Sequence, residues 1–417
     1  MLVWIVVSLL LTLVYAAIMR WYVWGWRALP EWHIPPDWVA KTPVTVLIPA
    51  RNEAGHISDC LQSILDGAYP LHLLEIIVFD DFSEDETASI VTQIAQQNLP
   101  ATIRLLRLSD ILPTDAAGRA NKKTAIEQGV ALAAGELIVT TDADCIAGTD
   151  WLRLLVSRFE SSPDTAPLPV LVTGPVLFHR EKYVLQYFQS LDFLGLMGIT
   201  GAGIHKGFQR MGNGAHLAYY KSVFQAVGGY DGNRQTASGD DMFLIQKVAV
   251  RYPGRIAFLK NAAAAVRTEA RPDWRSFVQQ RLRWGTKNAG LPEWPVRLIL
   301  LAVFLFCWSI WVNLFAWLCS GFQAGLLYLL VFQVYIKITF DWILLRDMCR
   351  YFKRRELLQW FLPSFFLHTL YIPLVGTGSL FFREYVWKGR RVGVLGFWCF
   401  GVLVFWCFRA HCLDSGW

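Results

Sequence analysis

The apolar residues of this chain fall into two blocks with a polar block between them, and that division decides where the chain can fold. Leu2 to Met19 carries no charge, and nearly everything after Leu298 is apolar or aromatic. Residues 41–290 instead carry charges and turn residues at the density of a water-soluble domain. A bilayer needs about 20 apolar residues for one helical crossing. The pattern therefore predicts a soluble domain held between two membrane blocks. With 54% hydrophobic and 17% charged residues, a plain soluble protein is excluded.

The first apolar run is followed by Arg20, Trp21, Tyr22, Trp24, Trp26 and Arg27, an aromatic belt with positive charge. A signal peptide would place its positive charge before the run, and Lys and Arg are absent before Arg20. Residues 1–27 thus read as an anchor with the N-terminus outside and the next domain in the cytoplasm. Residues 296–417 read as a second membrane region, with spans at Val296–Cys319 and Leu326–Leu345. Arg346, Arg350, Lys353, Arg354 and Arg355 mark the far end of the second as cytoplasmic. The run 357–382 contains Pro363, His368, Pro373 and Gly376-Thr377-Gly378, and Arg383, Lys388, Arg390 and Arg391 follow it. A single crossing would put that basic cluster outside, so a broken, re-entrant or interfacial segment is expected there. A last span, Val392–Phe408, would leave the C-terminus outside.

The net charge of +6 is modest, and the basic residues cluster beside apolar segments, which suits a membrane surface and not nucleic acid. The eight cysteines include no CxxC pair, so neither a zinc site nor a disulfide framework is indicated.

Between residues 42 and 270 short β-rich runs alternate with helical patterns. Strands are expected at Val44–Pro49, Leu74–Phe79, Thr102–Leu106, Leu137–Thr141 and Val170–Thr173. Helices are expected near His56–Leu65, Asp85–Gln97, Lys122–Ala134 and Asp150–Phe159. That alternation predicts an α/β domain with a mostly parallel sheet, whose ligands bind beyond the carboxyl ends of the strands. The second strand runs into Asp80-Asp81 and the fourth into Asp142-Ala143-Asp144. Paired carboxylates there can hold a divalent cation against a diphosphate. Each pair alone is equally readable as turn residues and helix caps, and Asp85 reads as a cap.

Six segments, taken in order, resemble glycosyltransferase family 2: Ile48-Pro49-Ala50-Arg51-Asn52-Glu53, the Asp80-Asp81 loop, Thr141-Asp142-Ala143-Asp144, Gly228-Gly229-Tyr230-Asp231, Ser238-Gly239-Asp240-Asp241 and Gln280-Arg281-Leu282-Arg283-Trp284. The last is similar to the QxxRW signature of the membrane-bound branch, which includes ceramide glucosyltransferases and polysaccharide synthases. The resemblance implies a GT-A fold, a nucleotide-sugar donor (a UDP-sugar above all) and inversion at the anomeric carbon. It puts Pro49, Arg51 and Glu53 against nucleobase and ribose, Asp81 on the uracil side and Asp142 at the donor. Asp144 would ligate Mn²⁺ or Mg²⁺. Lys122 or Lys123 would supply a basic residue for the donor, Lys123 being the one assigned here, though a solvated helix face accounts for either.

An inverting transfer needs one base for the acceptor hydroxyl proton, and the resemblance assigns it to Asp241, preceded by Asp240. Gly239 stands where some synthases have threonine. Gln280, Arg283 and Trp284 would serve acceptor and diphosphate from an interfacial segment, 271–295, although an arginine and an indole also anchor helices at membrane surfaces. Met211 to Tyr219 resembles an acceptor-side segment of the family, with His216 as a hydrogen-bonding substitute for asparagine. Tyr183–Ile204, apolar but for Gln186, Gln189 and Asp192, is expected to lie on the membrane. Trp387-Lys388-Gly389-Arg390 is similar to an element of lipid-modifying members. The expected activity is transfer of one sugar to a membrane-held lipid acceptor. The alternative is a processive polysaccharide synthase (poly-N-acetylglucosamine or hyaluronan-like) with a glycan acceptor. A transporter or an inactive scaffold would require polar residues inside the spans with paired repeats, or a lost carboxylate. The expected location is a bacterial plasma membrane, with the sugar-transferring domain cytoplasmic.

Overall fold

A computed structural model describes residues 2–97, 99–113, 122–161, 167–208, 211–232, 239–287, 294–381, 384–387 and 390–393. The expected last span, and Lys388-Gly389 of the Trp387–Arg390 element, lie outside them. In chain order the elements are α1 (Leu2–Ala28), β1 (Val44–Ala50), α2 (Ile57–Leu65), β2 (Leu74–Asp80), α3 (Thr87–Ala95), β3 (Thr102–Arg107), α4 (Lys122–Leu132), β4 (Leu137–Thr140) and α5 (Trp151–Glu160). There follow β5 (Leu171–Thr173), β6 (Val176–His179), α6 (Val184–His205), β7 (Leu217–Tyr220), α7 (Lys221–Ala226), α8 (Asp240–Arg251), β8 (Ile256–Phe258), β9 (Val266–Glu269) and α9 (Trp274–Lys287). The chain continues through α10 (Trp294–Cys319), α11 (Ala324–Tyr351), α12 (Phe361–Phe381) and a hairpin of β10 (Glu384–Trp387) and β11 (Arg390–Gly393).

The five expected strands, β1 to β5, join β7 and β8, which were not expected, in one seven-stranded sheet in the order β3-β2-β1-β4-β7-β5-β8. β1 to β4 are parallel, β5 is parallel to β8, and β7 runs antiparallel to both its neighbours. The central strands are largely apolar because helices cover both faces, and β2 is buried along its whole length, its Glu75 accepting from Thr45 Oγ1 of β1 at 2.7 Å. β1 lies between β2 and β4, so the chain order reverses there and the carboxyl ends of all three strands open one crevice.

α1, α10, α11 and the segment Arg355–Gly378 are long and apolar enough to cross a membrane. These helices carry buried polar side chains. Asn313 Nδ2 donates to Gln333 Oε1 (2.7 Å), Gln333 Nε2 donates to Ser309 Oγ (2.9 Å), and Trp4 Nε1 donates to Asn313 Oδ1 (2.6 Å). Such bonds join helices where apolar contact with lipid offers no preference.

α12 is unbroken through Pro373 and Gly376-Thr377-Gly378, where a break was expected. Proline removes the N–H that would bond the carbonyl four residues back. Here that carbonyl, of Thr369, accepts from Trp311 Nε1 at 3.0 Å, so the helix passes the proline without an orphan. The 3₁₀ turn Arg355–Trp360 packs on α6 and α11, and β10 packs on α9, so both ends of the segment touch the α/β side of the molecule.

α6 does not lie as an open amphipathic helix. It is buried against α1, α11 and α12, because its small residues let other chains approach closely. A Cβ on Gly25 of α1 would come within 2.9 Å of the Ala202 Cβ of α6, so only glycine fits.

Trp311→Phe should lower Tm in detergent by the cost of one unpaired carbonyl, about 1 kcal/mol. Adding Pro373→Ala returns the N–H and should recover most of that loss, so an equal loss in the double variant argues against the compensation.

Candidate active site

The crevice is built from three loops that follow β1, β2 and β4. Pro49, Arg51 and Glu53 leave the end of β1, and Arg51 Nη1 donates to the backbone carbonyls of Asp81 (2.7 Å) and Phe82 (3.1 Å). That bond locks the first two loops together. Asn52 and Phe82 sit at φ 51° and 54°, a left-handed conformation held by reciprocal bonds between the loops, from Asn52 N to Ser83 Oγ (3.0 Å) and Glu84 N to Asn52 Oδ1 (2.9 Å). Asp85 is the cap it was expected to be, accepting from Thr87 N (3.0 Å) and Ala54 N (3.0 Å). Slight burial pushes its pKa up, and these bonds more than reverse that, leaving it lowered. The Asp80-Asp81 pair divides. Asp80 turns to its own loop and accepts from Ser83 N (3.2 Å), while Asp81 lines the crevice.

At the end of β4, one oxygen each of Asp142 and Asp144 and the Cys145 sulfur lie within 4.8 Å of one another. The two carboxylates are hard oxygen donors suited to Mn²⁺ or Mg²⁺. The Cys145 thiol is pushed well above its ordinary pKa by burial and by Asp144, so it stays a neutral neighbour. Lys122 Nζ donates to Asp142 Oδ1 at 2.6 Å and lies 4.0 Å from Asp240 Oδ2. Burial alone would favour the neutral amine, but Asp142 and Asp240 outweigh it and hold the pKa above that of a free lysine. The lysine that reaches the crevice is thus Lys122. Lys123 lies with its ammonium 5.6 Å from the Phe243 ring and does not line it, because adjacent positions on a helix face different ways.

Asp240 and Asp241 open α8. The preceding Gly239 has φ +91°, which a threonine would adopt only under strain, and this accounts for glycine where some synthases differ. Asp241 accepts from Gly214 N (3.3 Å) and Met242 N (2.8 Å), one bond to each oxygen. Gln280, Arg283 and Trp284 of α9 line the same cavity, which measures about 560 Å³. It runs from the carboxylates past α9 to Ile18 and Met19 of α1, Leu300 and Val303 of α10, and Leu344 of α11.

Arg281, between the motif residues, was not singled out from the sequence. It is buried and pairs with Asp192 of α6 at 2.8 Å. The signal was present in the spacing of Gln186, Gln189 and Asp192, three residues apart on one face of an apolar helix. Gln189 Nε2 donates to Arg271 O (2.9 Å) and Gln189 Oε1 accepts from Arg271 N (3.0 Å), which fixes the strand leading into α9.

His216 lies behind the crevice, with Nδ1–H donating to Pro175 O (3.2 Å). Burial lowers its pKa to about 4, so it is a neutral hydrogen-bonding group and not a catalyst. Unfolded, it titrates near 6.5, so the unfolded chain takes up the proton first as pH falls. Stability should drop by about 3 kcal/mol between pH 6.5 and 4, and His216→Asn should flatten that decline in Tm measured against pH.

The family profile described as "Glycosyltransferase like family 2" matches residues 42–287, more than half of the chain. "Probable glycosyltransferase YdaM" of Bacillus subtilis (strain 168) is 26% identical over 272 residues, covering 64% of this chain and 60% of that protein. "Poly-beta-1,6-N-acetyl-D-glucosamine synthase" of Staphylococcus aureus (strain MSSA476) is 25% identical over 189 residues, covering 45% of this chain and 42% of that protein. The chain therefore spans less than two thirds of the length of these curated relatives. Among solved structures, the mannosyltransferase PcManGT from Pyrobaculum calidifontis, in complex with GDP-Man and Mn²⁺, superposes with a TM-score of 0.56 at 20% identity, over 88% of this chain and 99% of that one. That likeness concerns the fold, a mostly parallel α/β sheet of the GT-A kind with apolar helices attached. On that profile match, the chain belongs to glycosyltransferase-like family 2.

Proposed function

We propose that this protein is an inverting glycosyltransferase that moves one sugar from a nucleotide-diphosphate donor to a lipid acceptor held at the membrane. The observation that carries this reading is the shape of the cavity. One end holds Asp81, Asp142, Asp144, Asp240 and Asp241, and the other is walled by apolar side chains of α1, α10, α11 and α12. An amphiphile whose tail lies among those helices presents its head to the carboxylates.

The nucleobase and ribose lie against Pro49, Arg51, Glu53 and Asp81, with Asp142 at the donor. Mn²⁺ or Mg²⁺ on Asp144, with Asp142 beside it, would neutralise charge on the leaving diphosphate. Asp241 is the base. Backbone hydrogen bonds from Gly214 and Met242 hold the carboxylate in place at the crevice to take the acceptor proton. Lys122 orients Asp142 and Asp240. Gln280, Arg283 and Trp284 close the site from α9, and Arg281 already covers one side of the Trp284 ring at 4.3 Å, so a sugar would meet the other. Arg346, Arg350, Lys353, Arg354 and Arg355 cluster at and just beyond the end of α11. That distribution supports a cytoplasmic domain.

The first test is release of nucleotide diphosphate by protein in detergent with native lipid, Mn²⁺ and a panel of UDP- and GDP-sugars. Wild-type release should fall by about 10³-fold in Asp241→Asn, the usual scale for a general base. A labelled product that partitions into organic solvent supports the lipid acceptor, whereas a water-soluble polymer supports the processive synthase. No release with any donor overturns the proposal.

Two further variants separate roles. Asp144→Asn should raise the Mn²⁺ concentration needed for half-maximal release. Lys122→Met should lower kcat/KM while Lys123→Met leaves it near wild type, and the reverse result would return the donor role to Lys123.

A further inference from the structure

Where α9 meets the membrane helices, the cavity wall carries ionisable groups that neither the carboxylate site nor the family motifs use. Arg281, Asp192, His368, Tyr371, Lys337, Asp341 and Tyr15 form a continuous chain, and each lines the cavity except Lys337, which lies directly behind His368 and Asp341. Ionisable groups among apolar helices are costly and mark a binding or transport function more often than a structural one.

Buried donors outnumber the acceptors in this cluster. Its carboxylate oxygens each face one donor, although Asp192 Oδ2 makes no aligned hydrogen bond. Asp341 accepts from Lys337 Nζ (2.5 Å) and, at its other oxygen, from Tyr15 OH. Asp192 accepts from Tyr371 OH (3.3 Å) at one oxygen and faces Arg281 Nη2 at 2.8 Å with the other. Its donors are not spent. The Arg281–Asp192 pair is close but poorly aligned, and among the described residues Nε, Nη1 and Nη2 of Arg281 have no hydrogen-bond partner although the side chain is 3% exposed. The rings of Trp284 (4.3 Å) and Phe277 (5.0 Å) lie by the guanidinium and offer it no oxygen acceptor. Lys337 donates to His368 Nδ1 at 3.2 Å, which puts the imidazole proton on Nε2. That Nε2–H is 3.9 Å from the nearest Asp192 oxygen, too far for a hydrogen bond.

A surplus of buried donors is satisfied by a group that only accepts, and an oxyanion does so best. Apolar side chains flank the cluster, with Leu344, Leu345, Phe361, Phe365 and Ile372 along the cavity. We propose that Arg281 and His368, the latter oriented by Lys337 behind it, bind the phosphate of a phosphate-bearing lipid acceptor, between its acyl chains and the head presented to Asp241. This rests on the lipid-acceptor reading above and deepens it. It gives Arg281, an unspecified position of the QxxRW pattern, the role of selecting the acceptor class.

The test is native mass spectrometry of the full chain in detergent with phosphatidic acid, diacylglycerol of the same acyl chains, inorganic phosphate, or UDP with Mn²⁺. Two variants are compared with wild type: Arg281→Gln with Asp192→Asn, which removes the ion pair without stranding a charge, and His368→Phe. Phosphatidic acid should be retained at least about tenfold over diacylglycerol by the wild type, and each variant should lose about that factor, the scale of one charge-assisted hydrogen bond. UDP binding should be unchanged. Equal retention of diacylglycerol would overturn the phosphate assignment. Loss of UDP in the variants would show that the cluster serves the donor's diphosphate. Retention of inorganic phosphate as well as phosphatidic acid would reduce it to an anion site without lipid selection. Sugar transfer to diacylglycerol with no hold on phosphatidic acid would sink this inference and leave the lipid-acceptor reading standing. A water-soluble polymer made without retained lipid would remove both.

Discussion

The polar face of α6 is the constraint through which the α/β domain and the membrane helices act as one body. Gln186 Nε2 lies 3.4 Å from Ala270 O, Gln189 bonds both backbone groups of Arg271, and Asp192 faces Arg281 and Tyr371. The opposite faces pack on α1 and α11, with Gly25 against Ala202. A buried amide left without these partners would cost about 1–3 kcal/mol, so α9 cannot shift along α6 without losing several such bonds together. The residues that close the crevice from α9 are thereby held in register with the strand ends that supply the carboxylates.

A second tie acts at the other end of the domain. Lys260 donates to the carbonyls of Trp26 (2.8 Å) and Leu29 (2.7 Å) at the last turn of α1, where helix carbonyls have no partner of their own. Trp32 Nε1 donates to Ser157 Oγ (3.0 Å) and Trp38 to Glu160, so the connection after α1 is strapped to α5. Two membrane attachments, one before and one after the sheet, keep the crevice facing the helices. A cavity that is polar at one end and apolar at the other follows from that placement.

Much of the α/β domain was legible in the chain, because a buried parallel strand must be largely apolar and must end where a turn begins. The expected strands match within a residue or two, and the carboxylates at two strand ends fall into one crevice. Other features were not legible. The antiparallel β7 in the middle of the sheet depends on pairing between segments far apart in sequence. Which of Lys122 and Lys123 faces the site is decided by the rotation of α4 against the sheet, since both fit the same helical pattern. The continuous α12 could not be read from Pro373, because the indole that satisfies the Thr369 carbonyl comes from α10, 58 residues away.

By itself the sequence determined the membrane blocks, the α/β alternation and the ordered carboxylate motifs, since each depends on composition or spacing within a short stretch. Only the tertiary structure decided the pairing of Arg281 with Asp192 and the joining of His368 to Lys337. It also decided the fusion of the carboxylate crevice with an apolar space between helices. The reason is physical. A buried charge is tolerated only beside its partner, and here each partner sits on a different helix, so a local sequence can mark a polar face, as at Gln186, Gln189 and Asp192, without announcing what pairs with it.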